Sequence, residues 1–208
     1  MTLLHAQTLQ FLETHSVDRR PSYAILSHTW DVAELEVSYQ DILSLRAKGH
    51  KGYGKIEGCY KQALADRIEY VWLDTCCIDK TSSSELSEAI NSMFRWYAEA
   101  RLCYAYLSDV ADSSVFSRAV GPKGELREDI KKSRWFTRGW TLQELWDPRR
   151  LCFFSSLPTG NVLELAKNGE TASQLSREYT QIHLWVSRSE LLTIIVLHKE
   201  CPGLQIES

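Results

Sequence analysis

Four short apolar runs interleaved with stretches of helical spacing constrain this chain more than anything else in it. The runs cover residues 23–28, 70–74, 102–107 and 151–155. The first, Tyr23-Ala24-Ile25-Leu26-Ser27-His28, is mostly apolar and lies between Pro21 and a polar exit, which marks a buried strand. Between the first two runs, Ile56, Tyr60, Ala63, Leu64 and Ile68 recur at the spacing of one helix face. Before the third, Ser82 and Glu85 make a capping-box signature, and Leu86, Ile90, Met93, Tyr97 and Ala98 line one side of the helix it opens. Strands alternating with helices imply a mainly parallel sheet of about four or five strands with helices on both faces. The expected architecture is a three-layer α/β domain over residues 21–157.

The flanks are less patterned. Residues 1–20 have no strong period and read as a lead-in loop ending in Asp18-Arg19-Arg20-Pro21. A polar connection with a short helix from Ser38 follows the first strand, and glycines 49, 52 and 54 mark a loop. Residues 108–132 read as a long polar loop, and a short helix over 141–146 stops at Pro148. Residues 158–208 form a divergent, partly helical tail, with a polar helical stretch over 163–179 and an apolar run over 191–197. That run is far too short to span a bilayer.

With 208 residues and a formal net charge of −3, the chain suits one domain and argues against a nucleic-acid footprint, which needs a concentrated basic face. Lys131, Lys132 and Arg134 make only a small basic cluster. The six cysteines show neither a CxxC pair nor zinc-type spacing, and the first residues lack the basic flank of a signal peptide. A reduced, cytoplasmic, soluble protein is the expectation.

Residues 134–146 pack three tryptophans, one phenylalanine, two arginines and a single carboxylate, Glu144, into about four helical turns. A lone carboxylate among aromatics either anchors arginines, here Arg138 or Arg149, or is desolvated for chemistry. Ligands of parallel α/β sheets bind outside the carboxyl ends of the strands. Ser27, His28, Thr29, Trp30 and Asp31 lie there, as do residues 74–80 and the Glu144 segment. His28 beside Ser27 and Asp74 suggests a hydrolase triad, but no GxSxG elbow is present. Cys76 or Cys77 with His28 suggests a thiol pair, although adjacent cysteines leaving a buried strand more often pack the core. Asp74 and Asp79 make a poor cation site without further oxygen ligands, and a turn or capping role is the simpler reading. No P-loop pattern occurs.

Three blocks together resemble the signatures of the fungal heterokaryon-incompatibility (HET) domain: Tyr23-Ala24-Ile25-Leu26-Ser27-His28-Thr29-Trp30, Val71-Trp72-Leu73-Asp74-Thr75-Cys76-Cys77-Ile78-Asp79-Lys80 and Arg138-Gly139-Trp140-Thr141-Leu142-Gln143-Glu144-Leu145. Residues 88–97 match the family's intervening helix. The resemblance covers roughly residues 20–156 and is nearest to HET domains that open fungal vegetative-incompatibility proteins of nucleotide-binding and repeat architecture. The chain departs from that pattern after about residue 157.

The resemblance implies a cell-death effector in nonself recognition, a TIR-like (flavodoxin-like) fold, self-association on activation and an NLR-type partner. Some TIR domains hydrolyse NAD with a Glu spaced from a Trp as Glu144 is from Trp140, with Thr141 here standing where those have Cys. By that likeness Glu144 is the candidate catalytic residue, and Ser27, His28, Trp30, Asp74, Arg138 and Trp140 are candidate substrate-binding residues. NAD would be substrate, with no cofactor or metal. One carboxylate suits the reaction, because nicotinamide leaves a cationic glycosyl bond as a neutral molecule and needs no general acid. The different-class alternative is a non-enzymatic module whose Glu144 segment forms an oligomerisation surface.

Overall fold

A computed structural model describes residues 1–110, 132–141, 144, 148, 150–154 and the backbone of 162–166. In chain order the elements are β1 (Thr2–His5), β2 (Phe11–Glu13), β3 (Tyr23–His28), α1 (Tyr39–Leu43), α2 (Tyr53–Ala65), β4 (Tyr70–Trp72), α3 (Ser83–Glu99), β5 (Leu102–Tyr106), β6 (Arg150–Phe154) and β7 (Val162–Ala166). The strands form one sheet in the order β2-β1-β4-β3-β5-β6-β7. The four anticipated runs make its parallel centre, with β3 paired to β4 and β5, and β5 paired to β6.

The sheet is wider than the four or five strands expected. β1 and β2 add an antiparallel hairpin against β4, and β7 adds an antiparallel edge to β6. Residues 1–20 are therefore not simply a lead-in loop. Their hairpin escaped notice because its turn uses no glycine. Leu9 takes the left-handed conformation (φ 55°), and the His5 ring Nδ1 accepts the Gln7 and Thr8 amides at 3.2 Å each. Residues 162–166 were expected to begin a helix. They pair instead with the open edge of β6, whose backbone groups need partners. The rest of the tail reading, and most of the 108–132 loop, lies outside the described residues.

Register sorts the side chains onto two faces. Tyr23, Ile25 and Ser27 of β3 share a face with Trp72 and Cys103, their neighbours being aligned as Ile25 with Trp72 and Cys103. α3 covers this face: Tyr23 donates its hydroxyl to the Trp96 carbonyl at 2.6 Å, and Trp72 meets Trp96 and Tyr97 edge-on. Ala24, Leu26 and Tyr104 point the other way, where the Tyr104 hydroxyl donates to Asp66, the residue capping α2, at 2.6 Å. Right-handed crossovers place α2 and α3 on opposite faces, because β3→β4 and β4→β5 run in opposite directions across the sheet. The core is continuous across β1, β3, β4, β5, β6, α2 and α3, and includes fully buried Leu3, Ile25, Val71, Trp72, Tyr104 and Phe153.

Local signals mostly hold. Ser38 and Asp41 form a complete capping box on α1. At α3, Ser82 accepts the Glu85 amide, but the Glu85 carboxylate reaches the Asp79 amide rather than closing the box on Ser82. The buried side of α3 is Ala89, Trp96 and Tyr97, with Leu86 and Met93 of the expected stripe packed partly buried against the core, while Ile90 stands exposed. No helix among the described residues is long and apolar enough to cross a membrane.

Candidate functional site

The carboxyl ends of β3 and β4 carry Ser27, His28 and Asp74, and the chain before β6 folds back over them. Ahead of the helix expected over 141–146 the chain is not continuously helical. Arg134–Thr137 is a single 3-10 turn, Arg138 is extended (φ −81°, ψ 142°), and helical backbone resumes by Thr141 and Glu144. Ser133 starts the turn by accepting the Trp135 amide, and donates its hydroxyl to Asp109 at 2.6 Å. The buried Thr141 hydroxyl bonds the Trp135 carbonyl at 2.6 Å, tying the helical segment to the turn. The break has a consequence: an extended Arg138 can curl back onto Glu144, six residues later.

Glu144 is 1% exposed. Its Oε2 accepts the Ser27 hydroxyl at 2.5 Å, and Ser27 Oγ accepts the Trp135 indole N–H at 2.6 Å. Arg138 grips both carboxylate oxygens, at 2.8 and 3.0 Å. This bidentate, charge-assisted pair is the strong form of such contacts. Burial disfavours the Arg138 charge, yet Glu144 and other neighbouring groups more than offset it, so its pKa is raised. Of the two readings open for Glu144, the anchoring one has its arginine in Arg138. Arg149 lies outside the described residues.

Asp74 is buried beside this pair. Its Oδ2 accepts the Trp30 indole N–H at 2.9 Å, while Oδ1 has no hydrogen-bond partner among the described residues. Burial, and then the Glu144 charge, push its pKa up to about 6, against the opposing pull of Arg138, Trp30 and Lys80. His28 lies with Nδ1 3.9 Å from Asp74 Oδ1 and Nε2 3.9 Å from Glu36 Oε2, and neither nitrogen is hydrogen-bonded among the described residues. Burial, reinforced by Lys55, Arg138 and Lys80, lowers its pKa well below the ordinary imidazole value, so the ring is neutral.

The candidate residues thus fall into one cluster with uneven membership. Ser27, Glu144 and Arg138 are directly bonded, and Asp74, His28 and Trp30 adjoin them. Trp30 is 52% exposed, with the Lys80 ammonium 4.3 Å from its ring centre. Trp140 is 42% exposed and touches Glu144 through a backbone bond, its carbonyl accepting the Glu144 amide at 3.3 Å. Three contributors were not foreseen. Trp135 is the indole that orients Ser27. Glu36 and Lys55 build a charged wall beyond His28, where Lys55 bridges Glu36 at 2.6 Å and Asp31 at 2.7 Å. The signal for Trp135 was present in its aromatic segment, whereas Glu36 sits in a stretch without pattern and Lys55 heads an amphipathic helix whose spacing says nothing of a site.

Cys76 and Cys77 are buried, and Cys76 is held as a thiol, its pKa raised well above the ordinary value chiefly by its contact with Cys77 and by burial. No group of metal-binding side chains occurs among the described residues. A groove of about 510 Å³ lies away from the cluster, between the N-terminal hairpin and α3, lined by residues including Glu13, Arg20, Glu85, Glu88 and Trp96.

Residues 23–123 match the family model described as "Heterokaryon incompatibility protein (HET)". The chain is also 53% identical over 135 residues to the vegetative incompatibility protein HET-E-1 of Podospora anserina, an alignment covering 65% of this chain and 10% of that protein. The chain thus spans about a tenth of the length of the curated relative it matches. No solved structure matches it. The chain therefore shows HET-domain homology to a fungal vegetative incompatibility protein.

Proposed function

We propose that this chain acts as a cell-death effector in fungal heterokaryon incompatibility and nonself recognition, and that it does so by hydrolysing NAD in a self-associated state on a TIR-like sheet. The effector role is supported by the likeness to a protein named for vegetative incompatibility. Support for a TIR-like, flavodoxin-like core comes from the four parallel strands, whose order β4-β3-β5-β6 is that of a doubly wound sheet. In this reading the working domain covers residues 21–157, works in the cytoplasm and answers to an NLR-type partner.

The observation that carries the enzymatic reading is Glu144, a buried carboxylate bonded to Ser27 at the carboxyl ends of the parallel strands. Such a group stabilises the oxocarbenium-like charge that develops on the ribose as nicotinamide leaves. Trp30 supplies a half-exposed aromatic face at the rim. In this structure Arg138 holds both carboxylate oxygens, so Glu144 acts from a fixed position.

One observation favours a second reading. The Arg138–Glu144 fork satisfies the carboxylate as an anchor would, and the exposed Trp30 and Trp140 then serve as protein contacts in a non-enzymatic module. Nicotinamide release by the purified chain, free and clustered by a fused oligomerisation tag, separates the two. The enzymatic reading expects release that rises on clustering and is abolished in Glu144→Gln. No release in either state, or equal release from Glu144→Gln, overturns it.

A further inference from the structure

We infer that Asp74 is the general base of this site, taking the proton of the water that attacks the ribose, while Glu144 serves as a fixed electrostatic partner. The inference rests on the NAD-hydrolysis reading of the same cluster and divides the labour between its two carboxylates.

The division follows from their partners. Both oxygens of Glu144 are engaged, by two Arg138 N–H groups and the Ser27 hydroxyl. A carboxylate so bound is held in place and has little freedom to receive a proton. Asp74 is restrained at one oxygen only. Trp30 fixes Oδ2, which orients the carboxylate, while Oδ1 is buried and has no hydrogen-bond partner among the described residues. The ring nearest Oδ1 is the neutral His28, which does not neutralise it as an imidazolium would. Two neighbouring carboxylates in environments this different take different roles, and the one with the free oxygen is the proton carrier.

The surrounding charges agree. The groups acting on Asp74 include His28 on β3, Glu144 and Arg138 in the segment before β6, Cys76 and Lys80 beyond β4 and the Tyr97 hydroxyl on α3. With its pKa near 6, Asp74 is ionised at neutral pH yet basic enough to accept a proton. Trp30 is half-exposed and bonds Asp74 through its indole, so the ring that orients the base stands at the rim of the site.

The step balances without a further reagent. Water oxygen bonds the ribose anomeric carbon, and the carbon–nitrogen bond breaks with its electron pair going to the pyridinium nitrogen. One water proton passes to Asp74 Oδ1 and then to solvent. The products are nicotinamide, ADP-ribose and a proton.

The test uses the full clustered chain, NAD and pH–rate profiles of wild type, Asp74→Asn and Asp74→Ala, with unfolding midpoints confirming that each variant folds. The expected result for Asp74→Asn is a kcat lower by about a hundred-fold, at the lower end for loss of a general base, with KM within about three-fold. The wild-type profile falls on the acid side near pH 6, and that limb disappears in Asp74→Asn. Formate restores part of the rate to Asp74→Ala. An active wild type whose Asp74→Asn variant keeps its rate or its acid limb overturns the base assignment alone, as does a loss that formate does not restore. Absence of nicotinamide release from wild type overturns the NAD reading and the base with it.

Discussion

Replacing Arg138 by Met removes the only cation that forks onto Glu144 among the described residues, and keeps most of the side-chain volume. Glu144, 1% exposed, then retains the Ser27 hydroxyl but no opposite charge. Breaking a buried ion pair from one side costs about 3–5 kcal/mol, most of it the penalty of an uncompensated buried charge. For a chain of this size that lowers Tm by roughly 6–20 °C. The reverse substitution, Glu144→Gln, costs less, about 1–3 kcal/mol, because the Arg138 side chain is partly open to water and the new amide oxygen still accepts from Ser27. The double variant Arg138→Met/Glu144→Gln carries no buried charge at this point, so its cost falls short of the summed single losses by about 2–4 kcal/mol. Urea unfolding of the four proteins at pH 7 measures the cycle. A loss below about 1 kcal/mol in Arg138→Met, or strictly additive losses, would show that Glu144 is hydrated in solution and refute a buried fork.

Three further outcomes are expected. The pKa of Asp74 is raised in the folded state, so the protein binds that proton more tightly when folded and loses stability as pH rises from about 4 through about 6. Asp74→Asn should therefore be more stable than wild type by roughly 3 kcal/mol at pH 7.5, with the gain vanishing near pH 4, as urea midpoints across that range will show. Gly52→Ala should destabilise by about 1–3 kcal/mol, since a Cβ there would stand 2.4 Å from the Leu35 carbonyl oxygen, and chemical denaturation reads the loss. Leu45 ends α1 in the left-handed conformation (φ 60°) while 89% exposed, so Leu45→Gly should raise stability by about 0.5–1 kcal/mol in the same assay.

Legibility followed how local the determining physics was. β3 was readable to the residue, because a run of apolar side chains buried on both faces needs no partner to be recognised. The helix start at Ser38 and the Ser82 cap were readable for the same reason: a cap closes within one turn. The hairpin of β1 and β2 was not. Its strands are short, its turn rests on Leu9 rather than glycine, and its stability comes from pairing with β4, some 65 residues away in sequence. β7 was not legible, because a stretch of mixed polarity has no strand identity until an open edge offers it hydrogen bonds.

The sequence by itself determined the parallel centre of the sheet, the family likeness and the names of the residues that gather at its carboxyl ends. What those residues do to one another was decided by the tertiary structure. Nothing in the spacing of Ser27, Asp74, Arg138 and Glu144 tells that one carboxylate is gripped at both oxygens and the other at only one. Nor does it tell that His28 stands neutral between two acids, or that the Trp135 indole orients Ser27. Those facts depend on distances of 2.5–3.9 Å between groups as many as 117 residues apart, and on how fully water is excluded from them. Burial and partner geometry set the charge and freedom of a side chain, and both exist only once the sheet has assembled and the 134–144 segment has closed over it.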